Sequence, residues 1–163
     1  MKPRYTGTLA LVALAAAGAC ARMHAPGFPP PARPPLLVEL SFEQAFSSLA
    51  SLVEARGIPV LVADEQFGSI RTDWVYFDPG EVDLTQLADC HLDPAAPPPA
   101  LRVRYGFEVR RRANRATVTI LTQYQVEAHR GFDPNDISYT DCASTGEWER
   151  MIEQSLTQRG TIR

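Results

Sequence analysis

The 163-residue sequence has no apolar segment long enough to cross a bilayer, and it has few residues suited to catalysis or metal binding. Its longest apolar run covers residues 9–17, whereas a transmembrane helix needs about 20 apolar residues. Gly-x-Ser-x-Gly and His-Glu-x-x-His patterns are absent, and so are paired Cys-x-x-Cys or His-x-x-x-His spacings. The three histidines, His24, His91 and His129, are far apart in the sequence. We therefore expect no catalytic residues, no bound metal and no cofactor.

Lysine is nearly absent, since Lys2 is the only one in the chain. From Cys20 onward the sequence carries 14 arginines against 19 aspartates and glutamates, which gives a net charge of −5. This balance argues against general binding to nucleic acid or to anionic lipid. It is compatible with a local basic patch, and we expect no nucleic-acid partner.

The N-terminus is typical of an exported lipoprotein. A positive start and a short apolar core are followed by the small residues 17–19, which lead directly into Cys20. This order resembles a lipobox, with Ala17 where leucine is usual; the alternative is an ordinary secretory signal before a chance cysteine. We predict that residues 1–19 are a signal peptide and that Cys20 carries diacylglycerol and palmitate. Because Ala21 is not aspartate, the resemblance to known lipoproteins implies anchoring in the outer membrane, facing the periplasm.

A proline-rich tether is expected to follow the lipidated cysteine, over residues 20–35. Such a sequence favours the extended polyproline II conformation, which rises about 3.1 Å per residue. Residues 21–35 would then hold a domain about 40 Å from the membrane. The alternative is that this arm is itself a peptide ligand for a partner. Its prolines are Pro26, Pro29, Pro30, Pro31, Pro34 and Pro35.

With Cys20 lipidated, Cys90 and Cys142 remain as an even pair in an oxidising compartment. Paired cysteines in such a compartment form disulfides, and we predict one here. The alternative is a metal site that uses Cys90, His91 and Cys142. The spacing of these residues gives it little support.

Hydrophobic periodicity predicts a two-layer α+β domain with an antiparallel sheet over residues 36–163. Alternation is clearest over residues 101–110 and 116–128, with a turn at Ala113 and Asn114, and it predicts a hairpin. Residues 70–77 are expected to form one strand, residues 81–100 a long excursion with one helical turn at 84–87, and residues 131–143 a loop. Apolar stripes behind two capping boxes, Ser41 with Gln44 and Ser144 with Glu147, predict two helices. The expected order is β-α-β-β-β-β-α.

The segment Gly68-Ser69-Ile70-Arg71-Thr72-Asp73-Trp74-Val75 resembles the BamC (NlpB-like) lipoproteins of the outer-membrane β-barrel assembly machinery. The later Arg-x-Arg strand and the C-terminal helix fit the same family, so that the resemblance covers about residues 36–158. It implies a helix-grip fold and outer-membrane assembly proteins as partners. Family members carry two such domains and a long N-terminal docking segment. This sequence has one domain and a short proline-rich arm, so the fold carries over better than the role.

Arg102, Arg104 and Arg110 share the polar face of one predicted strand and form, with Trp74, a candidate binding surface. Guanidinium groups bind phosphate or carboxylate through paired hydrogen bonds. The alternative is a solvated face balanced by Glu108 and other acids, with Trp74 in the core.

These features together predict a non-catalytic outer-membrane lipoprotein that serves as a periplasmic binding or scaffold module in envelope biogenesis, as an accessory to β-barrel assembly. The alternative function is binding of a small apolar ligand or lipid in a cavity between helix and sheet. A void of several hundred Å³ would favour that alternative. Its expected lining is Phe42, Phe46, Tyr105, Phe107 and Tyr124.

Overall fold

A computed structural model of the chain describes residues 28–93, 97–129 and 137–161. The described residues form a mixed α+β structure with eight strands and three helices. These elements are β1 (Leu36–Val38), α1 (Phe42–Ala55), β2 (Val60–Asp64), β3 (Ser69–Thr72), β4 (Val75–Phe77), α2 (Leu84–Leu87), β5 (Ala88–Asp89), β6 (Leu101–Arg112), β7 (Arg115–His129), β8 (Ile137–Ser144) and α3 (Glu147–Thr161).

The hairpin of β6 and β7 is the centre of the sheet, as the alternation predicts. Its register runs from Leu101 opposite Val126 to Arg112 opposite Arg115. Ala113 lies in the turn with a positive φ of 53°. β3 and β4 pair one after the other with successive parts of β6, and β2 pairs with β3. β1 and β8 likewise pair with successive parts of β7, and β5 pairs with β8. Every one of these pairings is antiparallel, which confirms the predicted sheet type.

Helices α1 and α3 cover one face of this sheet. Along β6 and β7, alternate side chains point into the space beneath the helices, where Val103, Phe107 and Tyr124 are fully buried. The Tyr105 ring stacks on Trp148 of α3 with 3.8 Å between ring centroids. The Ser41 capping box at the start of α1 is confirmed, because both of its hydrogen bonds are present. The predicted two-layer core follows directly from this alternation.

Three local predictions are wrong. The expected single strand over residues 70–77 is divided into β3 and β4 at Asp73 and Trp74, where the Asp73 carboxylate accepts a hydrogen bond from the N–H of Trp74 and the Asp73 N–H donates to the carbonyl of Pro59. Residues 137–143, expected to be loop, belong to β8. The Ser144 hydroxyl donates to Glu149 Oε1 at 2.8 Å rather than forming a capping box with Glu147. The hydrophobic pattern does not predict β8, because Cys142 is its only buried side chain and the strand shows no apolar alternation.

The Cys90 and Cys142 sulfur atoms form the predicted disulfide. It joins the segment after β5 to β8, beside the short pairing of those two strands. The predicted helical turn at residues 84–87 is α2, with the Asp83 side chain as its N-cap. The excursion is therefore fixed to the sheet by a covalent bond as well as by hydrogen bonds. Among residues 28–93, 97–129 and 137–161, no helix is both long and apolar enough to span a bilayer.

Candidate functional site

Three arginines come together on the outer face of the sheet, which is the face opposite α1 and α3. Arg102 and Arg104 project from β6 between core residues of the same strand. Arg71 of β3 reaches the same area, because it lies opposite Gly106 in the β3–β6 register. Besides burial, the charges of Arg102 and Arg71 both lower the pKa of Arg104. The outer face therefore concentrates three positive charges at the middle of the sheet.

Aromatic rings flank two of these guanidinium groups. Arg102 Cζ lies 4.3 Å from the ring centroid of Trp74 and 3.3 Å from that of Tyr139. Arg104 Cζ lies 4.8 Å from Trp74 and 4.8 Å from Phe28. These distances are within the range of cation–π attraction, which is strongest for arginine on tryptophan and tyrosine. We call the group of Phe28, Arg71, Trp74, Arg102, Arg104 and Tyr139 the Arg–aromatic surface.

Two glutamines of β7 hold these arginines in place. Gln125 Oε1 accepts hydrogen bonds from Arg102 Nε at 2.8 Å and Nη2 at 2.5 Å, and Gln123 Oε1 accepts from Arg104 Nε at 2.7 Å. The amide nitrogens of both glutamines donate to Asp141 Oδ1, at 2.9 and 2.7 Å. Asp141 thereby orients both amides with their oxygen atoms toward the arginines. The guanidinium positions are consequently fixed before any ligand arrives.

The positive charge of this surface is only partly compensated. Within the described part of the chain, neither Arg71 nor Arg102 has a carboxylate within 4.0 Å. Arg71 Nε is buried and makes no hydrogen bond. Burial lowers the pKa of Arg104, and the charge of Arg102 lowers it further, while Asp141 acts in the opposite direction. An anion at this surface would relieve the repulsion between the guanidinium groups.

Of the four residues predicted for this surface, the structure brings together Trp74, Arg102 and Arg104. It does not bring Arg110 to them, although Arg110 has the same parity on β6. Arg110 is exposed near the far end of the strand and forms an ion pair with Glu108 at 3.1 Å. Arg110 therefore fits the alternative of a solvated face, whereas the other two arginines do not.

The N-terminal segment contributes a residue that the sequence did not identify. The Phe28 ring lies against Gly106 so closely that a Cβ atom there would be 3.1 Å from Phe28 Cζ. Five residues later, Arg33 Nε donates to both carboxylate oxygens of Glu153 on α3, each at 3.0 Å. Residues 28–33, predicted to be part of the tether, thus lie against the folded domain. Gly106 allows this contact, because a Cβ atom at that position would force the ring to shift by a few tenths of an ångström and a larger side chain would need more room.

The alternative sites are not formed as the sequence analysis described them. The sulfur atoms of Cys90 and Cys142 are bonded to each other, so they are not thiolate ligands for a metal. His91 is exposed, with Nδ1 at 3.2 Å from Asp89 Oδ1. Among the described residues, no cluster of three or more histidine, cysteine, aspartate or glutamate side chains could hold a metal. Cys20 and the signal peptide lie outside the described residues.

The five aromatic residues expected to line an apolar cavity are packed in the core instead. Their exposed fractions range from 0% for Tyr124 to 8% for Phe46. Two open surface clefts have other linings, one of about 620 Å³ beside the disulfide and one of about 540 Å³ between Arg33 and α3. Neither includes any of these five aromatic side chains. The space between helices and sheet is therefore filled by side chains.

The chain matches no protein-family model, and no curated protein is significantly similar to it.

Proposed function

We propose that this protein is an outer-membrane lipoprotein that acts as a non-catalytic, periplasmic binding module in envelope biogenesis. Its lipid anchor is Cys20, and its binding site is the Arg–aromatic surface. The observation that carries the proposal is the group of half-buried guanidinium ions on the outer face of the sheet, which aromatic rings and glutamine amides hold in place. A surface built in this way fits an anionic ligand group, either a phosphate or a carboxylate.

The contrast with Arg110 supports binding over a merely solvated face. Near the far end of β6, the exposed Arg110 has Glu108 beside it on the same strand. Arg102 has instead two aromatic rings and a neutral amide as neighbours. Neutral partners orient a cation without cancelling its charge. An arginine in this environment therefore keeps its attraction for an anion from outside.

Two further observations support export and a role in assembly. The Cys90–Cys142 disulfide suits an oxidising compartment, in agreement with the signal-like N-terminus. α1 and α3 lie on one face of an antiparallel sheet, an arrangement compatible with the helix-grip fold of the BamC-like lipoproteins that residues 68–75 resemble. We therefore propose a helix-grip-like domain and partners among the outer-membrane assembly proteins.

Crosslinking and purification from native membranes test this function. Tagged full-length protein, an Arg102→Gln/Arg104→Gln variant and a matched Arg110→Gln control would be isolated after brief crosslinking, and their partners identified by mass spectrometry. We expect assembly proteins with the wild type and with Arg110→Gln, and at least a fivefold lower yield with the double variant. Equal recovery from all three proteins would contradict the proposed binding site.

The anchor needs its own measurement. The intact mass of the membrane form should correspond to a chain that begins at Cys20 and carries acyl groups. A Cys20→Ala variant should leave the membrane fraction while keeping its disulfide. A Cys20→Ala protein that remains membrane-bound would refute lipid anchoring at this residue.

A further inference from the structure

The position of Phe28 determines how the folded domain is joined to its anchor. Phe28 lies on the outer face of the sheet, against Gly106 and beside Arg104. Phe28 is the first described residue, so the described chain begins with a ring on the face that carries the Arg–aromatic surface. The helices α1 and α3 lie on the opposite side of the sheet, so the described residue closest in sequence to the anchor has its ring on the other face.

The length of chain between Phe28 and Cys20 is short. Eight residue steps separate the two positions, and a fully extended chain covers at most about 3.6 Å per residue. Phe28 can consequently lie no farther than about 29 Å from Cys20, and about 25 Å in the polyproline II conformation. This is much less than the spacing of about 40 Å expected from residues 21–35, because residues 28–33 lie against the domain and add no reach.

We propose that the outer face of the sheet lies against the membrane that holds the Cys20 anchor, where the Arg–aromatic surface binds the phosphate groups of anionic phospholipids. This inference rests on the proposed function, because it takes Cys20 as the lipid-bearing residue. It adds the identity of one ligand and the orientation of the domain. Arginine forms paired hydrogen bonds with phosphate oxygens, and Arg71 and Arg102 have no carboxylate partner among the described residues that would compete.

The rim of this surface has the side chains that favour a membrane interface. Tyr76 is opposite Arg102 in the β4–β6 register, and its side chain is 63% exposed. Tyr139 and Ile137 follow on β8, with 37% and 47% exposure. Tyrosine and tryptophan rings prefer the headgroup region, since they have an apolar body and a polar edge. The outer face thus combines positive charge at its centre with amphipathic rings around it.

The acidic residues near this surface limit how strong the interaction can be. Asp141 lies within the arginine group but is hydrogen-bonded to Gln123 and Gln125, and Glu127 lies on the same face of β7. The mature chain also has a net charge of −5. We therefore expect weak binding by the domain alone. The anchor makes it effective, because tethering raises the local concentration of the domain at the membrane.

Vesicle binding by an unlipidated protein tests this inference separately from lipidation. The probe is the full mature chain, residues 20–163 with Cys20→Ser, mixed with vesicles of phosphatidylcholine alone or with phosphatidylglycerol. We expect binding that requires phosphatidylglycerol and weakens as salt is added. Arg102→Gln and Arg104→Gln should each lower the vesicle affinity about fivefold. Arg110→Gln removes the same charge outside the surface and should change the affinity less than twofold.

An Arg102→Lys variant separates the effect of the positive charge from that of the planar guanidinium group. Lysine attracts phosphate as a point charge but lacks the planar group that stacks between Trp74 and Tyr139. Because lysine keeps the charge but cannot form the paired hydrogen bonds, binding to phosphatidylglycerol should fall between that of the parent protein and that of Arg102→Gln. A loss as large as that of Arg102→Gln would contradict a contribution from charge. A circular dichroism spectrum and an intact disulfide check the fold of each variant.

Several results would overturn the inference. One is equal loss of vesicle binding in Arg102→Gln and Arg110→Gln, and another is binding that does not depend on phosphatidylglycerol. Displacement from vesicles by millimolar inorganic phosphate would identify a free anion as the ligand instead. Recovery of an Arg102-dependent protein partner from membranes, together with no vesicle binding, would overturn the lipid contact and leave the proposed function intact.

Discussion

Replacing both Cys90 and Cys142 by alanine removes the cross-link between the segment after β5 and strand β8. The disulfide restricts the unfolded chain, in which the two cysteines would otherwise be free to separate. Their sequence separation is 52 residues. In the chain-entropy description, closing a loop of this size stabilises the folded state by about 4 kcal/mol. We therefore expect the double variant to lose about 4 kcal/mol of unfolding free energy.

The folded contacts around the bond are not expected to offset this loss. β5 and β8 pair over only two residues, and the Thr145 hydroxyl donates to the carbonyl of Gln86 at 2.6 Å. Both interactions survive the substitutions, so they change the folded state little. For a domain of this size, a loss of about 4 kcal/mol lowers Tm by about 12–16 °C.

Thermal unfolding followed by circular dichroism measures this effect, with reductant as a matched control. Reductant should lower the Tm of the wild type to near that of the Cys90→Ala/Cys142→Ala variant, and it should leave the variant unchanged. The cross-link reasoning would be refuted by a double variant whose Tm is within about 3 °C of the oxidised wild type.

Three further predictions concern other parts of the molecule. Gly106→Val should displace the Phe28 ring, because the Cβ atom of the new side chain would lie only 3.1 Å from Phe28 Cζ. Faster amide hydrogen exchange at Ala32, Arg33 and Leu36 would report the displacement, and unchanged exchange would contradict it. Ser41→Ala removes the N-cap of α1 and should cost about 1 kcal/mol in chemical denaturation, and no loss would argue against the cap. Burial raises the pKa of Tyr105 and Tyr124. The neutral phenols are therefore favoured by folding, so stability should fall as pH rises above about 10, the usual pKa of unfolded tyrosine. A Tyr124→Phe variant should show a smaller loss in denaturant titrations at high pH, and an equal loss would contradict the assignment.

The central elements of the fold could be predicted because their signals are local. The alternation over β6 and β7 is regular, and the turn at Ala113 falls between the two strands. The α1 stripe begins directly after its capping residue, Ser41. The break at Asp73 could not be predicted in the same way. It coincides with a hydrogen bond between the Asp73 side chain and the next N–H, which leaves no mark on the hydrophobic pattern of the segment.

The candidate site was only partly predictable. Strand parity identified Arg102 and Arg104 and also included Arg110, because parity specifies a face but not a position along it. The hairpin register, set by the turn, places Gln125 opposite Arg102, and this pairing could have been deduced from the sequence. Tyr139 could not be found, because β8 is an edge-like strand without an apolar pattern.

Phe28 could not be found for a different physical reason. Its neighbours are prolines, which predict an extended chain but no position on a domain. The contact depends on Gly106, whose missing side chain leaves space for a ring on the outer face. A glycine in the middle of a strand is the one sequence signal for it, since such residues often mark close approach of another group.

Site-specific photocrosslinking in intact cells tests most directly whether the outer face of the sheet is the binding surface of this protein. A photoreactive residue would replace Tyr76, which is beside Arg102, or Phe67, a similarly exposed aromatic residue in the turn between β2 and β3. We expect position 76 to crosslink to an envelope protein or to phospholipid, and we expect Arg102→Gln to abolish these crosslinks. Position 67 should give none. Crosslinks from position 67 alone, or crosslinks from position 76 that persist with Arg102→Gln, would contradict this expectation.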